Sequence, residues 1–203
     1  MTTAATNVPS PDRILQTALQ LFSEKGYDAT SVREICEAAA ITKPTLYHFY
    51  GSKEGVYRKL VHGTLDQYRQ GVKERVEAPA TLEERLRSIA RGHFAYTREH
   101  PTLVRFLLGL IHHPPSSAPA TDFPRLYAEV VGEIARMVDR GVADGTITPA
   151  PTDVRMLVFM GAIGEALHGY LIAGQPDLTP ELADTLVRTV LDGWRSAPRP
   201  ERT

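Results

Sequence analysis

Between Ser31 and Tyr50 the chain opens a helix, stops it and opens another, and no other segment restricts the fold as tightly. Ser31 followed three residues later by Glu34 is a capping-box pair, in which hydroxyl and carboxylate each take an orphan backbone donor. Val32, Ile35 and Ala39 then supply one apolar face. The helix must end by Ile41, because Thr42-Lys43-Pro44 is a second start: Thr as N-cap, Pro in the first turn, where a missing N–H costs little. Two helices joined by about three residues cross steeply, so the second projects from the body that holds the first. Leu46 with Phe49 or Tyr50 can point inward, which leaves Lys43, Thr45, Tyr47 and His48 outside. A short projecting helix that exposes a cation, a hydroxyl, a phenol and an imidazole suits the phosphates and base edges of a DNA major groove.

Directly after this helix, Ser52 in Gly51-Ser52-Lys53-Glu54 can cap a longer one, with Lys53 at its first position. Backbone donors at a helix start and an adjacent ammonium make a phosphate site, so Lys53 is expected to hold DNA without reading its sequence. Upstream, Ser10-Pro11 signals a helix start, and Ile14, Leu15, Ala18, Leu19 and Phe22 recur at helical spacing until Gly26. Stretches near 53–77, 82–99, 102–112, 123–144, 152–173 and 179–195 carry the same period, separated by Pro or Gly. Thr152 and Thr179 read as N-caps of the last two. Strand-like alternation is absent, and the expected fold is all-α with about nine helices. The termini, 1–9 and 197–203, are expected to fray, and Pro114 to Ala120 to act as a connector.

A length of 203 residues with 42% hydrophobic positions suffices for one compact domain or two small ones, and excludes a disordered or fibrous chain. One Cys excludes an internal disulfide frame. No apolar run approaches the roughly 18 residues of a membrane span and no leader pattern opens the chain, so a soluble cytoplasmic protein is expected, with no membrane partner. Twenty-three basic against 24 acidic side chains argue against wholesale coating of nucleic acid, yet Arg33, Lys43, Lys53, Arg58 and Lys59 face only Glu34, Glu37 and Glu54 within 29–60. His93, His100, His112 and His113 lack metal-ligand spacing, and no nucleophile, base and orienter set is recognisable. No metal, no cofactor and no enzyme activity are therefore expected.

The run Arg13-Ile14-Leu15, Ala18, Leu21-Phe22, Gly26-Tyr27, Thr30-Ser31-Val32, Ile35, and then Thr42 through Glu54, closely resembles the N-terminal domain of TetR-type transcriptional regulators. The resemblance implies a three-helix DNA-binding unit over 9–69 and a helical effector-binding and dimerisation domain over 70–203, with repression relieved by an inducer. Carried over by position, it places DNA contacts on Arg33, on Thr42, Lys43, Pro44, Thr45, Tyr47 and His48, and on Lys53. Four residues depart from the family pattern. Ala40 stands where Gly is usual in the turn, Phe49 replaces a polar residue, Tyr50 replaces Phe, and Cys36 replaces a small Ala on the inward face.

In the second domain, TLVRFLLGLI at 102–111 is apolar nearly all round except for Arg105, which reads as an enclosed cation needing a carboxylate or an acidic effector. His93, Phe94, Arg105, Phe106, Tyr127 and Met160 are the candidate walls of an effector cavity. The last two helices offer a dimer face through Leu157, Gly161, Ile163, Gly164, Leu167, Leu182, Leu186 and Val190, with Glu165 and His168 amid it. The expected protein is a homodimeric repressor released from a palindromic operator in double-stranded DNA by a small, mainly apolar effector. A DNA-binding dimer whose body takes a protein or no ligand is the alternative, and a small helical enzyme a more distant one.

Overall fold

The computed structural model describes residues 11–112 and 123–195. The Ser10 cap, both chain ends, the Pro114 to Ala120 connector and the imidazoles of His112 and His113 lie outside the described residues. Among the described residues, nine α-helices and no strand are present: α1 Pro11–Lys25, α2 Val32–Ala38, α3 Lys43–Tyr50, α4 Lys53–Glu77, α5 Leu82–Glu99, α6 Pro101–His112, α7 Phe123–Ala143, α8 Thr152–Ala173 and α9 Pro180–Trp194. The helix bounds follow from the caps. Ser31, Thr42, Thr81 and Thr179 each accept a backbone N–H of the first turn, and Ser31–Glu34 and Thr81–Glu84 close full capping boxes. Thr152 is the exception. Its hydroxyl donates to Asp139, and α8 starts from Pro151 without a side-chain cap.

The chain forms two compact units, one of residues 11–66 with 102–112 and 123–124, the other of 67–101 with 125–195. Helix α4 runs from one into the other. The sequence puts the boundary at 69/70 with α6 in the second domain, whereas α6 falls in the first unit, where Phe106 joins the aromatic core. Phe106 lies 6.4 Å from Phe22 and 5.8 Å from Tyr57, ring to ring, and Tyr27 completes the cluster at 4.8 Å from Tyr57. Around these rings Ile14, Ala18, Ile35, Cys36, Leu46 and Val56 fill the core.

In the second unit α5 packs along α9 and against α8. Leu86, Ile89, Ala90 and Phe94 of α5 are buried with Ala183, Val187 and Leu191 of α9 and Phe159 and Ile163 of α8. Two salt bridges on the rim, Arg91–Asp184 and Arg195–Glu83, join α5 to α9 and its C-cap. Exposed pairs of this kind contribute less than about 1 kcal/mol each, so apolar burial holds the helices together.

Helix α8 corrects the sequence reading of its apolarity. By length and composition it is apolar enough to cross a membrane, with a mean hydropathy of 1.5 over its best window; Arg155, Glu165 and His168 break the run that a simple scan looks for. Arg155, Met156, Phe159, Ile163, Ala166 and Leu167 face the fold, so one side is committed to core packing. The other side presents Val154, Leu157, Val158, Gly161, Glu165, His168 and Ile172. Lipid would not favour a carboxylate and an imidazole midway along that face.

A candidate nucleic-acid interface and the second-unit cluster

The link between α2 and α3 is a turn of three backbone bonds. The N–H of Ala39 donates to the Ile35 carbonyl, that of Ala40 to Glu37 at 3.2 Å, and that of Ile41 to Cys36 at 2.9 Å. The last two make a Schellman closure, which requires a left-handed residue at Ala40, and its φ is indeed 50°. A side chain in this region costs roughly 1–2 kcal/mol, which glycine would avoid. Lys25 anchors the start of α2 by donating to Glu34 at 2.8 Å. That bond, followed by those from Ser31, holds the Glu34 carboxyl down at about 2. Cys36 is buried between the helices, and burial pushes its thiol up, so it behaves as a small apolar residue.

On α3, Leu46 is fully buried and Tyr50 half-buried, whereas Thr42, Lys43, Pro44, Tyr47 and His48 are exposed and Thr45 is half-exposed. The hydroxyls of Thr42 and Thr45 lie 2.9 Å apart, so the two act as one hydrogen-bonding group at the helix start. Phe49 is also exposed, its ring 5.2 Å from that of His48. Tyr50 explains the exchange of aromatic residues: its hydroxyl donates to the Pro11 carbonyl at 2.9 Å, tying the end of α3 to the start of α1. Arg33 on α2 is open to solvent, with Glu37 at 3.6 Å, a loose pair that does not confine it.

Lys53 differs most from expectation. Its ammonium turns inward, donating to the carbonyls of Tyr27 at 2.9 Å and Thr30 at 2.8 Å, and sits 4.0 Å from the centre of the Tyr27 ring. Burial lowers its pKa. Ser52 caps α4 as expected, accepting from Gly55 N–H at 3.0 Å. Gly55 carries no mark in the sequence that sets it apart. A Cβ placed there would stand 1.8 Å from the Tyr50 carbonyl oxygen, so only glycine permits this close junction between α3 and α4.

The candidate effector residues divide between the units. Arg105 is exposed rather than enclosed: of the residues of α6 whose side chains are described only Val104 and Phe106 are buried, and Phe106 belongs to the aromatic core of the first unit. In the second unit Phe94 is fully buried core, and Tyr127 and Met160 are half-buried. His93 has a partner that the sequence reading missed, Tyr68. Its Nδ1 lies 2.8 Å from the Ile89 carbonyl, which can only accept, so Nδ1 carries the proton; Nε2 then accepts from the Tyr68 hydroxyl at 2.7 Å. Burial pushes His93 down and Tyr68 up, with Tyr127 near enough to add to the latter. Tyr68 follows Val61, Thr64 and Leu65 and precedes Val72 at helical spacing, the pattern that could have marked it as inward-facing.

The expected dimer residues are likewise sorted. Leu157 is 73% exposed and Gly161 is exposed, Gly164, Leu182 and Leu186 are half-buried, but Ile163, Leu167 and Val190 are buried within the chain itself. The apolar surface of α9 is taken up by its own neighbours, and its outer face is Glu181, Thr185, Arg188, Thr189 and Asp192. Val154, Val158 and Ile172 on α8 are exposed in their stead. Among the described residues no group of His, Cys, Asp and Glu could hold a metal ion.

Residues 14–60 match the family model for bacterial regulatory proteins of the tetR family. The HTH-type transcriptional repressor KstR2 of Rhodococcus jostii is 40% identical over 74 residues, 34% of this chain and 36% of that protein. The chain spans about a third of the length of such curated relatives. Solved structures match over nearly all of it. The TetR family transcriptional regulator PfmR from Thermus thermophilus is 25% identical with a TM-score of 0.75, covering 93% of this chain and 98% of that one. FadR from Bacillus subtilis, solved in complex with stearoyl-CoA, is 17% identical with a TM-score of 0.70 over 91% and 99%, a likeness of fold alone. These relatives are regulators of transcription, not enzymes. The motif and the three-helix unit that carries it match the tetR family of bacterial regulatory proteins over residues 14–60, and the all-helical fold is similar to that of PfmR over nearly the whole chain.

Proposed function

We propose that the chain is a cytoplasmic homodimeric repressor that binds a palindromic operator through α3 and leaves it when a small, mainly apolar effector binds the second unit. The observation that carries DNA binding is the outer face of α3, where Lys43, Pro44, Tyr47 and His48 stand exposed at the start of a helix that two turns hold in a fixed setting. Thr42 and Thr45 add hydroxyls suited to phosphate or base edges, and Arg33 an exposed guanidinium beside them. Dimerisation rests on the exposed face of α8, with Leu157 and Gly161 at its centre and Leu182, Leu186 and Gly164 flanking. An effector would meet the Tyr68–His93 pair, Tyr127 and Met160. The neutral imidazole and phenol suit a hydrogen-bonding end rather than an ionised one, and of the stearoyl-CoA held by FadR only the acyl chain is an example of such an apolar portion.

Selection of bound duplexes from a random pool, followed by footprinting, tests the DNA reading. The expected result is a two-fold symmetric site whose affinity falls about 10³-fold or more between 50 and 200 mM salt, as phosphate-neutralising proteins do. An asymmetric footprint or salt-insensitive binding would refute it. Apolar acids, alcohols and thioesters screened by thermal shift and then by operator release test induction. If none raises the melting temperature, the reading in which the body takes no small ligand replaces it.

A further inference from the structure

We infer that the Tyr68–His93 pair chooses an effector by the proton its polar end brings: it takes an alcohol or another donor group, and turns away a ketone, ester or thioester carbonyl. This rests on the effector reading above and names the chemical class of its ligand. The order of the hydrogen bonds carries it. The Ile89 carbonyl can only accept, so His93 Nδ1, 2.8 Å away, places its proton there. Nε2 is then a bare acceptor, and the Tyr68 hydroxyl at 2.7 Å must donate to it. A lone imidazole and a lone phenol can each donate or accept. Joined in this order, they offer a ligand only the lone pairs of the Tyr68 oxygen.

The neighbouring residues keep the order from reversing. Reversal needs a second proton on the imidazole, and Arg75 stands close by. Its Nη1 donates to the Gly71 carbonyl at 2.6 Å, and its guanidinium lies against Gly92, the residue before His93, where a Cβ would stand 2.7 Å from Nε and 2.8 Å from Cζ. Burial, and then this positive charge, lower the His93 pKa. One turn further along α5 the Thr97 hydroxyl is committed in the same manner, donating to the His93 carbonyl at 2.8 Å. Tyr68 and His93 are half-buried rather than sealed, which leaves part of the pair within reach of a ligand.

An alcohol donates its O–H to the Tyr68 oxygen and loses nothing on leaving water. A carbonyl of the same skeleton sets lone pairs against lone pairs and gives up its hydration without a partner. An ionised carboxylate, which also only accepts, fares no better at this pair. Two replacements separate this polarity from mere packing. Tyr68→Phe uncovers Nε2, which is still an acceptor, so the preference for a donor persists. His93→Phe releases the Tyr68 proton, so the pair becomes a donor and the preference passes to the carbonyl. Loss of packing would weaken both members of a matched pair alike.

The experiment adds matched probes to the thermal-shift screen and then titrates them by calorimetry: cyclododecanol with cyclododecanone, menthol with menthone, and decanol with decanoate. Each alcohol is expected to bind at least about tenfold more tightly than its partner, both to the unaltered chain and to Tyr68→Phe. For the two ketone pairs, the order is expected to reverse in His93→Phe. Equal binding or a preference for the ketone in the unaltered chain, an order that persists in His93→Phe, or decanoate binding more tightly than decanol, which would put the head group on Arg75, overturns the inference.

Nitrogen NMR of the unaltered chain, labelled at histidine and assigned by comparison with His93→Phe, needs neither ligand nor a binding variant. At neutral pH, His93 is expected to show a protonated Nδ1 and a bare Nε2. A proton on Nε2, alone or together with one on Nδ1, overturns the inference. If the nitrogens are as expected but neither these probes nor any compound of the screen binds, the effector reading falls and the polarity of the pair stands.

Discussion

At the residue scale, Ala40 and His93 both hold states that their surroundings impose. The Schellman closure of α2 needs the left-handed backbone that Ala40 adopts at a φ of 50°. Glycine there would remove a penalty of roughly 1–2 kcal/mol and return part of it as added freedom of the unfolded chain. Ala40→Gly should therefore stabilise the protein by about 0.5–1 kcal/mol, seen as a higher urea midpoint at unchanged slope. A lower midpoint would mean that the turn is not under strain. His93 is kept neutral by burial, with Arg75 pushing in the same direction. Its folded pKa thus lies below the ordinary 6.5, and the unfolded chain gains a proton first as the pH falls. The stability linked to this group is full above pH 6.5 and is lost on acidification. Melting temperatures taken on either side of that value should show the loss in the unaltered chain and a smaller one in His93→Gln. An undiminished acid loss in the variant would assign it to other groups.

At the element scale, the starts of the helices are the most legible part of the chain because a cap is a local event. Ser31 with Glu34, Thr42 with Pro44, and Thr179 with Pro180 need only their own first turns to act. Contacts that join distant segments leave no such mark. Lys53 meets carbonyls 26 and 23 residues upstream, and nothing in Gly-Ser-Lys-Glu tells an inward ammonium from an outward one. Helix α8 is apolar on most sides, so its period does not say which face the chain will cover; Ile163 and Leu167 turn inward while Val158 and Ile172 stay out. Arg105 misleads in the opposite way, since a charge within an apolar helix sits equally well on a side left open. Gly55 shows what an element junction demands. The Tyr50 carbonyl fills the place where a side chain would begin, so Gly55→Ala must push α3 away from α4. We expect this variant to lose operator binding by about tenfold or more and about 1–3 kcal/mol of stability, by titration and urea denaturation. Retention of both would show that the junction yields without cost.

At the scale of the whole molecule, the question is what covers α8. Val154, Leu157, Val158 and Ile172 stand open to solvent along one face, where burial of each would contribute about 1.5–3 kcal/mol. Gly161 lies between them, and a Cβ added to it would meet nothing within 4 Å, so another helix can come close there. In the homodimer proposed above, a second copy would meet this face with the same face under two-fold symmetry, which would count every apolar residue twice. Glu165 and His168 on the same face can then pair across the axis, giving the contact a register that apolar residues alone would not impose. Two copies so joined carry two copies of α3, and this is why the operator is expected to be symmetric. Leu157→Glu with Ile172→Glu tests the arrangement without disturbing the core, because both side chains are more than two-thirds exposed in the single chain. The double variant should stay folded by circular dichroism, sediment as a monomer and bind the operator at least about a hundredfold more weakly, having lost the link between half-sites. Ile163→Glu, which places a charge in the core, should instead unfold the second unit. A folded double variant that still sediments as a dimer would move the interface off α8.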